Sequence, residues 1–248
     1  MSQRYIGGLI YNPPGGYSGY FTGTSGYLSV AASSSLTMAG DFCVEGWVFL
    51  TNLALVGGSN TRLWATAAGT NIVFVAASYA VRIDNGASTV FTSNSNVLTL
   101  NTWTHIALVR SGSTLTIYIN GVSQGSSTYA STFTNSATSY LACDPTGGSP
   151  GTQGNMYGYI SNLRVVVGSP VYTAAFTPPN GPLQAIANTK LLTCQSLTFV
   201  DNSTNALAVT NNAASISTQN PFPLNTLPNP ALGNQGNGVY SMSQYQSL

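Results

Sequence analysis

The chain has 248 residues, 43% of them hydrophobic and only 4% charged, with six basic and five acidic side chains. A chain this long buries roughly 70–75% of its unfolded surface, enough for one sizeable core, and all-β units of this length commonly form a single domain. So few cations cannot neutralise a run of phosphates or hold an anionic bilayer, which excludes nucleic acid and membrane surfaces as partners.

Helical periodicity is absent, and short β-branched and aromatic runs alternate with Gly, Asn and Ser punctuation. Residues 1–16 are rich in Gly, Pro and Tyr and form an N-terminal arm. The regular part begins with a strand over Gly26–Val30. Asp41–Leu50 follows as a core strand with large residues on both faces, then Asn71–Val75 and Tyr79–Ile83. Asn85-Gly86 supplies the positive φ angles of a two-residue type I′ turn. Trp103–Arg110 and Thr114–Ile119 form a hairpin around Ser111-Gly112-Ser113. In its second strand Leu115, Ile117 and Ile119 share one face, and Asn120-Gly121 makes the next turn. Tyr157–Val167 is a long strand and Lys190–Cys194 a short one. From Pro223 on the apolar residues are too scattered for a core, so 223–248 reads as a C-terminal tail. The domain proper is 17–222.

A surface built of Ser, Thr, Asn, Gln and Gly is poorly protected by charge repulsion and tends to associate. No apolar run approaches a membrane span. The first residues lack the apolar stretch of a signal peptide, so synthesis and retention in a cytoplasm are expected. Cys43, Cys143 and Cys194 are an odd number at wide spacing and fit neither a metal motif nor a disulfide framework, which leaves buried free thiols.

Four stretches, in order, resemble the laminin-G-like jelly roll of the concanavalin A-like superfamily. They are Asp41-Phe42 with Glu45 and Trp47, the run Trp103–Arg110, the run Tyr118–Val122, and Gly158–Val165 with Tyr172 and Phe176–Pro179 behind it. The resemblance covers roughly residues 17–222 and implies an all-β fold: a two-sheet antiparallel jelly-roll sandwich with extended N- and C-terminal arms. The charge-poor composition with an arm at each end resembles modules of tailed-phage virion proteins. Such a fold hosts many functions, so function must be argued from sites.

Glucanases of that superfamily place paired acids on one strand, because one carboxyl protonates the leaving oxygen while the other attacks or activates water. Glu45 is the chain's one glutamate, and Gly46 and Trp47 follow it instead of a second acid. His105, the one histidine, lies mid-strand between Trp103 and Ala107, where a packing role is ordinary. No catalytic residue is therefore assigned. Glu45 is expected to pair with His105, or with Arg110 or Arg164, as a buried polar contact. Calcium is the family's usual ion and requires several hard oxygen ligands; Asp84, Asp144 and Asp201, in loop-like stretches beside Asn85 and Asn202, are the candidate ligands. Tyr129, Phe133 and Tyr140 are the candidate aromatic contacts for a glycan.

Two functions follow. The first is a non-enzymatic virion structural protein of a bacteriophage, a capsid decoration or a tail or fibre component, with other virion proteins or copies of itself as partners. In that reading residues 1–16 and 223–248 reach neighbouring subunits, and deleting 223–248 abolishes assembly while leaving the β-fold intact. The alternative is a carbohydrate-binding module recognising a cell-surface glycan.

Overall fold

Burial along the longest strand shows how the molecule is layered. In Phe42–Asn52 burial is unbroken from Phe42 to Gly46 and alternates from Trp47 onward. The first half of this strand is covered on both faces and the second half on one. Inward-pointing Phe42, Val44, Val48 and Leu50 belong to the main core, while Cys43 joins a smaller cluster on the opposite face.

This computed structural model describes residues 4–6, 9–11, 16–53, 61–66, 71–75, 78–86, 88–145 and 149–222. In chain order the strands are β1 (Arg4–Ile6), β2 (Leu9–Tyr11), β3 (Ser18–Thr22), β4 (Tyr27–Val30), β5 (Phe42–Asn52), β6 (Thr61–Thr66), β7 (Asn71–Val75), β8 (Val81–Asn85) and β9 (Ser88–Thr92). They continue with β10 (Trp103–Ser111), β11 (Thr114–Ile119), β12 (Val122–Thr128), β13 (Ser139–Leu141), β14 (Tyr157–Val167), β15 (Thr189–Thr193), β16 (Val209–Asn212) and β17 (Ser215–Ser217). One 3-10 turn, Ser34–Leu36, is capped by the Ser33 side chain.

An eight-stranded sheet runs β12-β11-β10-β5-β14-β3-β17, with β15 also on β14, and a seven-stranded sheet runs β16-β4-β13-β6-β7-β8-β9. Every pairing recorded is antiparallel. Phe21, Leu28, Trp64, Ile83, Leu108, Ile117 and Val165 are among the residues that fill the space between the sheets. This is the expected jelly-roll sandwich.

The expected arms meet the structure unevenly. Within 1–16, β1 and β2 pair as a separate hairpin, while residues 223–248 lie outside those described. The turn at Asn85-Gly86 shifts by one residue: Asn85 still pairs with Ser88, so only Gly86 of the two sits in the reversal, at φ +62°. Asn120 and Gly121 both take positive φ, +49° and +77°, between the paired Ile119 and Val122, as a type I′ turn requires.

A bulge in β14 decides what faces outward. Ser161 is opposite Trp47 and Arg164 opposite Glu45, so Asn162 and Leu163 on β14 stand against Gly46 alone on β5. The extra residue reverses the side-chain alternation. Ile160 and Leu163 therefore both point into the core, while Arg164 faces outward to Glu45. Asn162 sits in the bulge at φ +56°, and its Oδ1 accepts from Leu183 N at 2.9 Å.

Candidate functional site

The outward face of the eight-stranded sheet has a covered end and an open end. Between β14 and β15 the chain runs back over the covered end as a strap, residues 168–188. Val171, Tyr172 and Phe176 pack there on Cys43, Ala107, Val109, Tyr118 and Val166. Phe176 N donates to Gly121 O at 3.0 Å, and Gly168 N to Asp41 O at 2.7 Å, which pins the strap at two points. Gly121 is required there, since a Cβ would collide with the Phe176 carbonyl.

Under the strap lies a buried polar network. Glu45 Oε1 accepts from Arg164 Nε at 3.0 Å and Nη2 at 2.5 Å. Its Oε2 accepts from the Tyr172 hydroxyl at 2.8 Å and lies 3.2 Å from His105 Nε2. Burial alone would push the Glu45 carboxyl up, but the His105 hydrogen bond and the Arg164 and His105 charges outweigh it and hold it below the usual range. Burial and the neighbouring Glu45 push the Tyr172 phenol up. Of the two arginines considered as partners, Arg164 takes the role. Arg110 sits at an inward-facing position and donates to the carbonyls of Met38, Gly40 and Ser131. With Glu45 only 1% exposed and both its oxygens engaged, the network positions the strap and presents no free carboxyl.

The open end carries an aromatic row that reasoning from sequence did not find. Trp103 is opposite Phe49, Phe49 opposite Tyr159, Tyr159 opposite Tyr20, and Tyr20 opposite Ser215. Five neighbouring strands thus place these residues on one line across the sheet. The four rings are half-buried. Neighbouring ring centroids lie 5.5, 5.7 and 4.8 Å apart along the line. Beside the row Trp47 takes an edge contact from Phe222 at 6.0 Å. Thr22, Thr51, Thr102 and Ser215 are exposed at its margin. The signal was the alternation Trp47, Phe49, Thr51 against Val48 and Leu50, but the register that aligns the rings is not written in any one strand.

A second hollow on this face is an open groove of about 260 Å³ between the β10–β11 hairpin and the strap. Ser111, Thr114, Thr116, Thr173, Tyr118 and Tyr172 line it, and no charged side chain does.

The residues expected to meet a glycan are not brought together as one surface. Phe133 is a core residue, 1% exposed, with its ring edge-on to Phe42. That corrects its assignment as a sugar contact, because a stacking ring must be reachable. Tyr129 is half-buried, packs on Phe133 and accepts from Asn85 Nδ2 at 2.5 Å. Tyr140 is half-buried on β13 of the other sheet, against Tyr27.

The three aspartates considered for calcium do not fit it. Asp84 is a strand residue held by Arg82 Nε and Nη2 at 3.0 and 2.7 Å. Asp144 pairs with Arg62 at 2.7 Å. Asp201 accepts from Leu192 N, Ser203 N, Ser203 Oγ and Leu207 N. Among the described residues no three His, Cys, Asp or Glu side chains converge, and no helix is long and apolar enough to cross a membrane.

Comparison with known proteins agrees with this architecture. The family model of the concanavalin A-like lectin/glucanases superfamily matches residues 22–169. A Bacteroides ovatus protein provisionally described as carbohydrate-binding superposes with a TM-score of 0.63 at 18% identity, over 87% of this chain and 64% of its own. This chain therefore spans less than two thirds of that protein. The heptameric SAP-like pentraxin of Limulus polyphemus superposes with a TM-score of 0.54 at 14% identity, over 79% of this chain and 94% of its own. Both likenesses are of fold. No curated protein matches the sequence.

Proposed function

The chain belongs to the concanavalin A-like lectin/glucanase superfamily, and from that premise we propose that it is a non-enzymatic carbohydrate-binding domain. The observation that carries this reading is the aromatic row Trp103–Phe49–Tyr159–Tyr20 at the open end of the large sheet. Sugar rings present C–H groups on one face and hydroxyls at the rim. A half-exposed aromatic ring meets the first, and the Thr and Ser side chains at the margin meet the second. The lectin-like fold and the Bacteroides ovatus neighbour support the same direction.

Hydrolysis is disfavoured by the one glutamate. A glycosidase sets two reachable carboxyl groups about 5–9.5 Å apart across the scissile bond. Glu45 instead spends both oxygens on Arg164, Tyr172 and His105 beneath the strap. The order of the two functions drawn from sequence is thereby reversed. Packing in a phage virion rests on composition and the terminal arms, whereas the aromatic row supports glycan binding.

The test is a glycan array probed with the full-length chain beside Trp103→Ala and Tyr159→Ala. Binding that either substitution weakens at least tenfold, with the melting temperature held, supports the reading. Binding to no glycan, or equal binding by all three proteins, overturns it.

A further inference from the structure

The geometry points to the class of glycan: we propose that the ligand is an uncharged, extended chain of several sugars lying across the strands along the aromatic row. The inference rests on the carbohydrate-binding reading and adds two properties to it.

Charge disfavours anionic ligands. The chain has six cations, and none of those whose side chains are described stands on the row. Arg62 and Arg82 pair with Asp144 and Asp84, and Arg164 pairs with Glu45. Arg110 is buried among backbone carbonyls with its guanidinium over the Phe42 ring. Lys190 lies on β15, outside the register of the row. A sulfate, uronate or sialate laid on the row would give up water and meet no cation among the described residues. The acids are equally absent: Asp41 accepts from Gly112 N and Asp201 from three backbone N–H groups, so an amino sugar finds no carboxylate.

Spacing selects length. One ring stands on each of four adjacent strands, with neighbouring centroids 4.8–5.7 Å apart, a step comparable with one pyranose. A single sugar covers one ring or two. Only an oligomer reaches from Trp103 to Tyr20 and then to Ser215. Each further ring that is covered adds a stacking contact, so affinity rises with chain length until the row is filled and then levels off.

Calorimetric titration of the full-length chain decides this, using neutral gluco-, manno- and xylo-oligosaccharides of one to six units and sulfated and sialylated oligosaccharides as the anionic arm. The expected result is at least tenfold tighter binding for a tetramer than for a dimer in one neutral series. The tetramer advantage disappears in Tyr20→Ala, which removes the far end of the row and leaves the Trp103 end intact. Equal affinity for monomer and tetramer overturns the extended chain but leaves carbohydrate binding standing. Tighter binding of the anionic arm overturns the uncharged ligand in the same way. No binding in either arm overturns the carbohydrate reading and this inference together. Two other results also overturn it: self-association abolished by Trp103→Ala gives the row to a second copy, and binding gained only on removing 223–248 gives it to that segment.

Discussion

The Tyr172 hydroxyl donates to Glu45 Oε2 across 2.8 Å, and that bond fastens the strap to the middle of the large sheet. The Tyr172 ring lies flat on Phe176, 3.5 Å between centroids and 5° between planes. The strap is thus held both by a charge-assisted hydrogen bond and by apolar contact with Val109 and Tyr118.

Tyr172→Phe separates the two contributions. The stacked ring stays, but Glu45 Oε2 loses the Tyr172 hydroxyl and keeps only His105 Nε2. The expected cost is about 1–3 kcal/mol, with faster amide exchange through 168–188 and undiminished protection in β5 and β14. Hydrogen exchange with a urea titration reads both. Unchanged protection in the strap would mean that apolar packing alone holds it.

Glu45 should set the acid limb of stability. Its carboxyl is held below the usual range in the fold, and the unfolded chain titrates near ~4.3. A folded value lower than the unfolded one contributes stability above the unfolded value and loses it as pH falls through the folded value. Glu45→Gln removes that titration and also leaves Arg164 and His105 without their charged partner, at a cost of about 3–5 kcal/mol near neutral pH. Urea midpoints between neutrality and strong acid should fall less steeply for Glu45→Gln than for the unsubstituted protein. Parallel acid limbs would show that Glu45 does not dominate. Glycan affinity is expected to stay unchanged, since the network lies outside the row.

Much of the fold was legible because strand periodicity is local. Leu115, Ile117 and Ile119 announce their shared face within six residues, and all three are core residues. What was not legible depends on register between distant strands. Nothing near Trp103 in sequence says that Phe49, Tyr159 and Tyr20 will stand beside it. The bulge at Asn162 makes the same point, because one extra residue turned Arg164 outward and made it the partner of Glu45. Phe133 went the other way: a Ser- and Thr-rich stretch suggested surface, yet its backbone bridges Met38 and carries the ring inside. Strands as short as β13 and β17, of three residues each, carry too little pattern to be seen at all.

The thiols offer a check on burial that is independent of any ligand. Cys43, Cys143 and Cys194 are unpaired and buried. Burial pushes the Cys143 and Cys194 thiols up to about 12, and burial with the Glu45 charge pushes Cys43 well up. Thiolate is the reactive form, so at mildly alkaline pH the folded protein should resist a disulfide-exchange reagent. All three should react after denaturation. A thiol that titrates rapidly in the native protein would show that its cover opens.

Calcium should leave the protein indifferent, for reasons that differ at each aspartate. At Asp84 and Asp144 the positive charge an ion would bring is already supplied by Arg82 and Arg62, and calcium would have to displace a bidentate guanidinium at the first. At Asp201 the charge is spread over three N–H donors and one hydroxyl, with Oδ1 on Leu192 and Ser203 and Oδ2 on Ser203 and Leu207. Calcium takes six to eight oxygen ligands, and stripping those donors would leave buried backbone N–H groups without partners. Melting temperature and glycan affinity are therefore expected to be the same in millimolar calcium and in chelator. A site filled at 100 times its dissociation constant would add about 2.7 kcal/mol. At roughly 2–4 °C per kcal/mol for a domain of this length, that is a shift of several degrees. A shift of that size would show that calcium binds the folded protein and overturn the expectation.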